Sequence, residues 1–364
     1  MQMSPRLGLI LVTLAVVTAC TPAATPPPTA APAAKATAGA TSAVPSTPAA
    51  AAAKPTVVPT TGPADAITMG YSNITGDEIA AFYALDTGTF SRHNLKVDGQ
   101  LIAGGANTTA AVVSGQIQVA HAGGSETISA VANGADLVIV ATLAGVYPYL
   151  FEVIPEVKTA QDLVGKKLGV SNVGGSADIA TRVYLRQQGL DPEKDVTIVA
   201  TGSSQNRAAA LQSGAIQGGM AAPPDNLAVE AVGLHPIADL ASLHLPSANT
   251  SVVMQRTFVN SNHDLVQRYV DALVEASVQV KKDKPGAVKI LKSYFKSDDD
   301  HAMEVAYDFY ANEVVQPLPF PRPDQFKDAV ETLAPSNPKV REVDLAKVLE
   351  PSFIQNAADR GLAQ

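Results

Sequence analysis

The string Ser-Gly-x-Ile-Gln occurs twice, at 114–118 and again 99 residues later at 213–217. At the same offset Ala122 falls on Ala221, Ala132 on Ala231 and Gly134 on Gly233, with no gap. A repeat of this length is one supersecondary unit used twice. It implies two similar halves, one following the other.

The residues around both copies say what kind of half. "AITMGYS", "LKVDGQLIA", "IQVAHA" and "DLVIVATL" are short apolar runs with β-branched content. Glycine- or serine-rich loops follow them, and then stretches of helical character such as "ETISAVANG". "KKLGVSN", "DVTIVAT" and "IQGGMAA" resume the alternation around "ADIATRVYLRQQG" and "NRAAALQSG". Strand alternating with helix predicts βαβ units and a mostly parallel sheet, hence an α/β class. Beyond about residue 261 long amphipathic segments such as "HDLVQRYVDALVEASVQVKK" take over. Helices are expected there, without further strands.

The first 65 residues read differently. Arg6 precedes an apolar run at 7–17 that is too short for a membrane span, the pattern of a secretory signal. The run ends in Val17-Thr18-Ala19-Cys20, similar to a bacterial lipobox, with Cys20 as the acylated residue. It is the chain's single cysteine, so no internal disulfide can form. Residues 20–65 are Pro, Ala and Thr with almost no charge, a composition that has nothing to bury and predicts a disordered tether. A coil of about 45 residues spans roughly 35–40 Å. The expected order is a signal peptide at 1–19, the tether, and a body of about 300 residues held outside the membrane by lipid. Whether that is a cell surface or a periplasmic face is open.

A net charge of −8 argues against a nucleic-acid partner. No zinc-protease, nucleophile-elbow or phosphate-loop motif occurs, and the six histidines lack metal spacing. His301, Glu304 and Asp308 share one helical face, which reads first as a solvated face rather than a metal site. No catalytic residue, cofactor or metal is expected.

Two strings, "GGANTTAAVVSGQIQVAHAGGSETISAVANGADLVIVATL" and "DLVGKKLGVSNVGGSADIATRVYLRQQGLDPEKDVTIVAT", resemble the solute-binding proteins of ABC importers of the nitrate/sulfonate/taurine type, a group that includes thiamine-precursor binders. The likeness runs over roughly 67–291. It implies a two-lobed, type II periplasmic-binding-protein-like fold with a ligand cleft between the lobes. Lobe one is then 66–150 plus about 253–364 with the C-terminal helices, and lobe two is 151–252. The chain crosses outward near 147–155 and back near 249–259. It further implies a monomer that captures a small organic nutrient and hands it to an ABC permease with its ATPase. A lipoprotein sensing a ligand for a signalling partner is the alternative. An enzyme making a thiamine precursor from its own histidine is the remote one.

In an open parallel sheet ligands sit beyond the carboxyl ends of the strands. Here those ends are the loops 72–75, 104–107, 121–125, 172–176 and 220–224. They contribute Ser72, Asn73, Thr75, Gly104, Asn107, His121, Ser125, Asn172, Gly175, Ser176, Met220 and Pro223 as candidate ligand contacts, with Tyr147 as an aromatic wall. Thr75, Ser125 and Ser176 read as helix caps, and Thr75 with Glu78 as a capping box. The loops hold no Lys or Arg, and Arg207 is the nearest cation. A bare oxyanion usually requires one. The acids Asp77, Glu78, Glu126, Asp178 and Asp225 open helices, where they complement the helix dipole or accept from a ligand's donors. His121 reads as catalytic, ligand-contacting or structural. The repeat puts Met220 at the matching position, and ligand contact leads.

Overall fold

A computed structural model describes residues 62–364. The signal peptide, Cys20 and nearly all of the tether lie outside the described residues.

Ten strands form two five-stranded sheets. They are β1 (Asp65–Tyr71), β2 (Leu95–Leu101), β3 (Val119–Ala122), β4 (Leu137–Val146), β5 (Leu150–Val153), β6 (Lys167–Val170), β7 (Thr197–Ala200), β8 (Gly218–Ala221), β9 (His235–Asp239) and β10 (Pro246–Gln255). The first sheet has the order β2-β1-β3-β10-β4 and the second β7-β6-β8-β5-β9. In each, four strands run in one direction and the strand fourth in order runs antiparallel to both its neighbours. The two sheets thus share one plan. β10 holds in the first the place that β5 holds in the second. The chain leaves the first sheet after β4 and returns to it in β10. β4 reads "LVIVATLAGV" and is buried almost throughout, as a strand covered on both faces must be.

The repeat has a physical cause. The Gln118 side chain accepts the Thr68 N–H at 2.9 Å, and its own N–H donates to the Thr68 carbonyl. Gln217 does the same to Lys167, at 3.1 Å through its side chain. In both copies the glutamine ties the incoming β3 or β8 to the start of the parallel neighbour. The glycine ahead of it, Gly115 or Gly214, has φ of 77° or 71°, a left-handed turn that suits glycine. Serine, glycine and glutamine recur because each half closes its helix-to-strand turn in the same way.

The C-terminal segment is helical as expected, and beyond β10 the described residues add no strand, only isolated bridges at Val315 and Leu349. The helix His263–Lys282 buries Val266, Tyr269, Val270, Leu273, Val274, Ser277 and Val280 against the first sheet, with the i, i+3, i+4 spacing of an apolar stripe. The helix Lys327–Leu333 packs on both the helix Gly124–Ala132 and the helix Ser176–Gln187, one from each half. Arg186 donates to Thr332 and Tyr147 donates to Asp328, so this helix straps the halves together. No described helix is long and apolar enough to cross a membrane.

Candidate functional site

Strand ends of both sheets converge on one cavity of about 60 Å³. From the first half come Ser72, Asn73, Thr75, Asp77, Gly105, Gly123 and Glu126. From the second come Ser171, Asn172, Ser176, Ser204, Arg207, Pro223 and Asp225. The connecting strands add Tyr149, Asn249 and Thr250, and the C-terminal helices add Phe295 and Tyr310. One water-sized position takes ~10–15 Å³ on this measure, so the enclosed space holds about four to six non-hydrogen atoms.

Polar groups crowd this small space, and several are uncommitted. Asp77 is buried, and its Oδ2 accepts from Asn249 at 3.1 Å and Thr250 at 2.6 Å, while its Oδ1 has no partner. Asn73 Oδ1 is likewise unpartnered. A buried acceptor left unpaired costs ~1–3 kcal/mol, so both oxygens call for a donor from outside the chain. Arg207 supplies the opposite need. It is 3% exposed, and it donates through Nε to the Met220 carbonyl and through one terminal nitrogen to Ser171 Oγ at 2.8 Å. Its other terminal nitrogen has no acceptor among the described residues. Burial draws its pKa below the usual arginine value, yet an arginine stays protonated at neutral pH. Burial also pushes Glu126 up, and it raises Asp225 to about 6 against the pull of Arg207.

The helix starts around the cavity are bare. Helices Gly105–Val113, Gly124–Ala132 and Ser176–Gln187 follow the glycines Gly104, Gly123 and Gly175, none with a side-chain cap. The expected hydroxyl caps are corrected here. Ser125 donates to Glu126 Oε2 at 2.7 Å, and Ser176 donates to the Asn249 carbonyl at 3.0 Å. Thr75 precedes its helix without a side-chain bond, so the Thr75–Glu78 capping box does not form. The real cap is Ser203, which accepts from the Asn206 N–H at 3.1 Å. Uncapped N–H groups and the positive ends of three helices therefore face the cavity.

Of the thirteen candidate contacts, Ser72, Asn73, Thr75, Asn172, Ser176 and Pro223 line the cavity. Gly104 and Gly175 stand one step behind the wall as the N-caps just described. Asn107 is turned away and donates to the Ala103 carbonyl. Ser125 and Tyr147 lie in a neighbouring crevice, with Tyr147 1% exposed and bonded to Asp328 at 3.0 Å. Met220 is buried and reaches the site only through its carbonyl.

His121, expected at the ligand, does not line the cavity. It is fully buried, with Nδ1 2.6 Å from Glu78 Oε2 and Nε2 2.9 Å from the Tyr269 hydroxyl. Glu78 and Tyr269 are buried as well. β10 lies beside His121 as β5 lies beside Met220, so both side chains point inward from equivalent strand ends. One core position is apolar, and the other holds a buried hydrogen-bonded pair, His121 with Glu78. Of the dipole-facing acids, Asp77, Glu126 and Asp225 reach the cavity, Glu78 is taken by His121, and Asp178 is taken by Arg182 and the Gly174 N–H. Asp308, on the suspected metal face, pairs with Lys284.

Sequence reasoning missed Asn249, Thr250, Phe295 and Tyr310, and set Arg207 outside the loops. Arg207 stands one turn inside its helix, and its long side chain reaches back over the preceding strand ends. Tyr310 opens a π-helical turn, Tyr310–Val314, a local distortion frequent at functional sites.

The fold matches many solved structures. The alkanesulfonate-binding protein SsuA from Xanthomonas axonopodis pv. citri, bound to MOPS, superposes with a TM-score of 0.66 at 18% identity, over 80% of this chain and 99% of its own. The periplasmic nitrate-binding protein NrtA from Synechocystis PCC 6803 gives 0.65 at 15%, over 81% and 89%. A DSZB mutant in complex with biphenyl-2-sulfinic acid gives 0.58 at 18%, over 80% and 99%. These likenesses show the two-lobed, type II periplasmic-binding-protein fold. No curated protein sequence matches the chain. The sequence profile of the NMT1-like family matches residues 60–291, which take in both sheets and every cavity-lining residue except Phe295 and Tyr310; the chain belongs to the NMT1-like family.

Proposed function

We propose that this protein is an extracytoplasmic, lipid-anchored solute-binding protein that captures a small organic solute between its two halves and delivers it to an ABC permease. The observation that carries this reading is the opposition of unsatisfied groups across the cavity. Arg207 offers a free donor face from the second half, and Asp77 offers a free acceptor from the first. A solute with an anionic group at one end and an N–H donor at the other satisfies both. An aminosulfonate fits that description. Nitrate or sulfate satisfies Arg207 alone and leaves Asp77 unpaired. SsuA and NrtA, whose names state sulfonate and nitrate binding, are consistent with this class.

Among the described residues no His, Cys or Lys lines the cavity. His121 is sealed beneath it.

A thermal-shift screen over taurine, other sulfonates, nitrate, pyrimidine precursors and flavin-like rings tests the reading. Saturation at 100 times Kd adds ~2.7 kcal/mol, a shift of roughly 4 °C for a domain of this size. The expected result is such a shift with a zwitterionic solute and a smaller one with nitrate. No shift with any compound at millimolar concentration overturns it.

A further inference from the structure

A second space adjoins the cavity. It is a groove of about 610 Å³ on the outer side of the cleft, lined by Ala106, Ala110, Val113, Ala130, Val173 and Leu333. Val113 is 44% and Val173 62% exposed, an unusual pair of apolar lips on one groove. Thr109 also lines it, 4% exposed, with its hydroxyl unpartnered.

Only Glu126 and Asn172 line both spaces. Asn172 Nδ2 lies 3.4 Å from Glu126 Oε1, the outer limit of a hydrogen bond, and this contact joins the two halves. The residues common to both spaces are thus two polar side chains joined by one weak bond. Glu126 packs against Gly105 and Gly123, where any Cβ would lie 2.3 and 2.2 Å from its carboxylate oxygens. Those glycines let the carboxylate lie flat on the backbone between the two spaces. A donor on a ligand that bonds Glu126 Oε1 takes the place of the Asn172 contact. A further space shares Asp225 and Phe295 with the cavity and mixes apolar residues such as Leu227 and Met303 with Lys296, Asp299 and His301.

Resting on the solute-binding reading above, we propose that the groove holds an apolar arm of the bound solute. The polar head, with its N–H donor, sits in the cavity between Arg207 and the carboxylates of Asp77 and Glu126. An arm of three or four carbons attached at the donor nitrogen passes Glu126 and lies along Ala110, Ala130 and Val173. The cavity encloses only about four to six atoms, so a larger solute requires such an outlet. The natural ligand belongs to the N-substituted zwitterions rather than to the smallest members of the class.

The test is a titration of the full-length protein with taurine and its N-methyl, N-propyl and N-butyl homologues. Each buried methylene tightens binding by about fourfold, so N-butyltaurine should bind at least tenfold more tightly than N-methyltaurine. Ala110→Trp fills the groove from an exposed position and should remove that gain while leaving taurine within about twofold. Ala130→Phe fills it from the other wall and serves if the first variant is unstable. Taurine binding with no gain along the series, or a gain that survives both substitutions, overturns the groove and leaves the cavity reading intact. Failure of taurine and all its homologues to bind removes the cavity reading, and the groove proposal falls with it.

Discussion

Removing the imidazole of His121 should unfold the first half long before it disturbs a ligand. His121→Ala deletes one bond of 2.6 Å to Glu78 and one of 2.9 Å to Tyr269, in a site where all three residues are buried. Breaking a buried pair from one side costs ~3–5 kcal/mol, because the surviving charge keeps its desolvation penalty. Burial already raises the Glu78 pKa, and His121 is the main influence that lowers it. Without His121 the carboxyl rises further above its unfolded value near 4.5. A raised acid pKa is a penalty that is absent below the unfolded value and grows as pH climbs toward the folded one. The deficit should therefore be about 3–4 kcal/mol at pH 7 and shrink at pH 5, where the orphaned carboxyl holds a proton. Glu78→Gln added to His121→Ala should cost less than the sum of the two by about 2 kcal/mol. Urea unfolding followed by far-ultraviolet circular dichroism measures this, since the chain has no tryptophan to report by fluorescence. A deficit below 1 kcal/mol that ignores pH, together with altered ligand affinity, refutes the structural role and restores His121 to the site.

Glu152 is an opposite case. It is fully buried in β5 with neither carboxylate oxygen bonded, and burial with the neighbouring Glu230 pushes it up to about 8. Its penalty appears above pH 4.5 and is complete beyond pH 8. Glu152→Gln should leave stability unchanged at pH 4 and raise it by ~2 kcal/mol at pH 9, after relaxation is allowed for; equal effects at both pH values contradict this. Glu275 is held at about 2 by its bond from His93 and then by Arg92. Its contribution is present above pH 4.5 and lost as pH falls toward 2, so Glu275→Gln should cost ~1 kcal/mol at pH 7, a value reduced by its partial exposure, and nothing at pH 2. At Gly76 an added Cβ would meet the Tyr310 ring at 2.1 Å. Gly76→Ala should cost ~1–3 kcal/mol through overpacking and weaken solute binding by moving that wall, as calorimetry would show.

Much of the fold was legible because backbone constraints recur. Ser114, Gly115 and Gln118 reappear as Ser213, Gly214 and Gln217 because the same turn and the same glutamine-to-backbone bonds close both halves. The strand ends followed from alternation, and six of the thirteen contacts named from those ends line the cavity. What failed was side-chain direction. Ser125 and Ser176 occupy cap-like positions, yet nearby acceptors, Glu126 and the Asn249 carbonyl, claim their hydroxyls. His121 ends its strand beside the cleft but turns inward, because Glu78 and Tyr269 await it from a helical turn 43 residues earlier and a helix 148 residues later. Arg207, Phe295 and Tyr310 reach the site from helices, and no local pattern marks a side chain that crosses from a helix to a distant strand end.

The central claim is that a solute bridges the two halves between Arg207 and Asp77. A crystal structure of the protein with the solute found by the thermal-shift screen tests it most directly. An acceptor of the solute should lie within hydrogen-bond distance of the free Arg207 nitrogen and a donor within that distance of Asp77 Oδ1. A solute bound elsewhere, or seated in the cleft with both atoms still unpartnered, contradicts it.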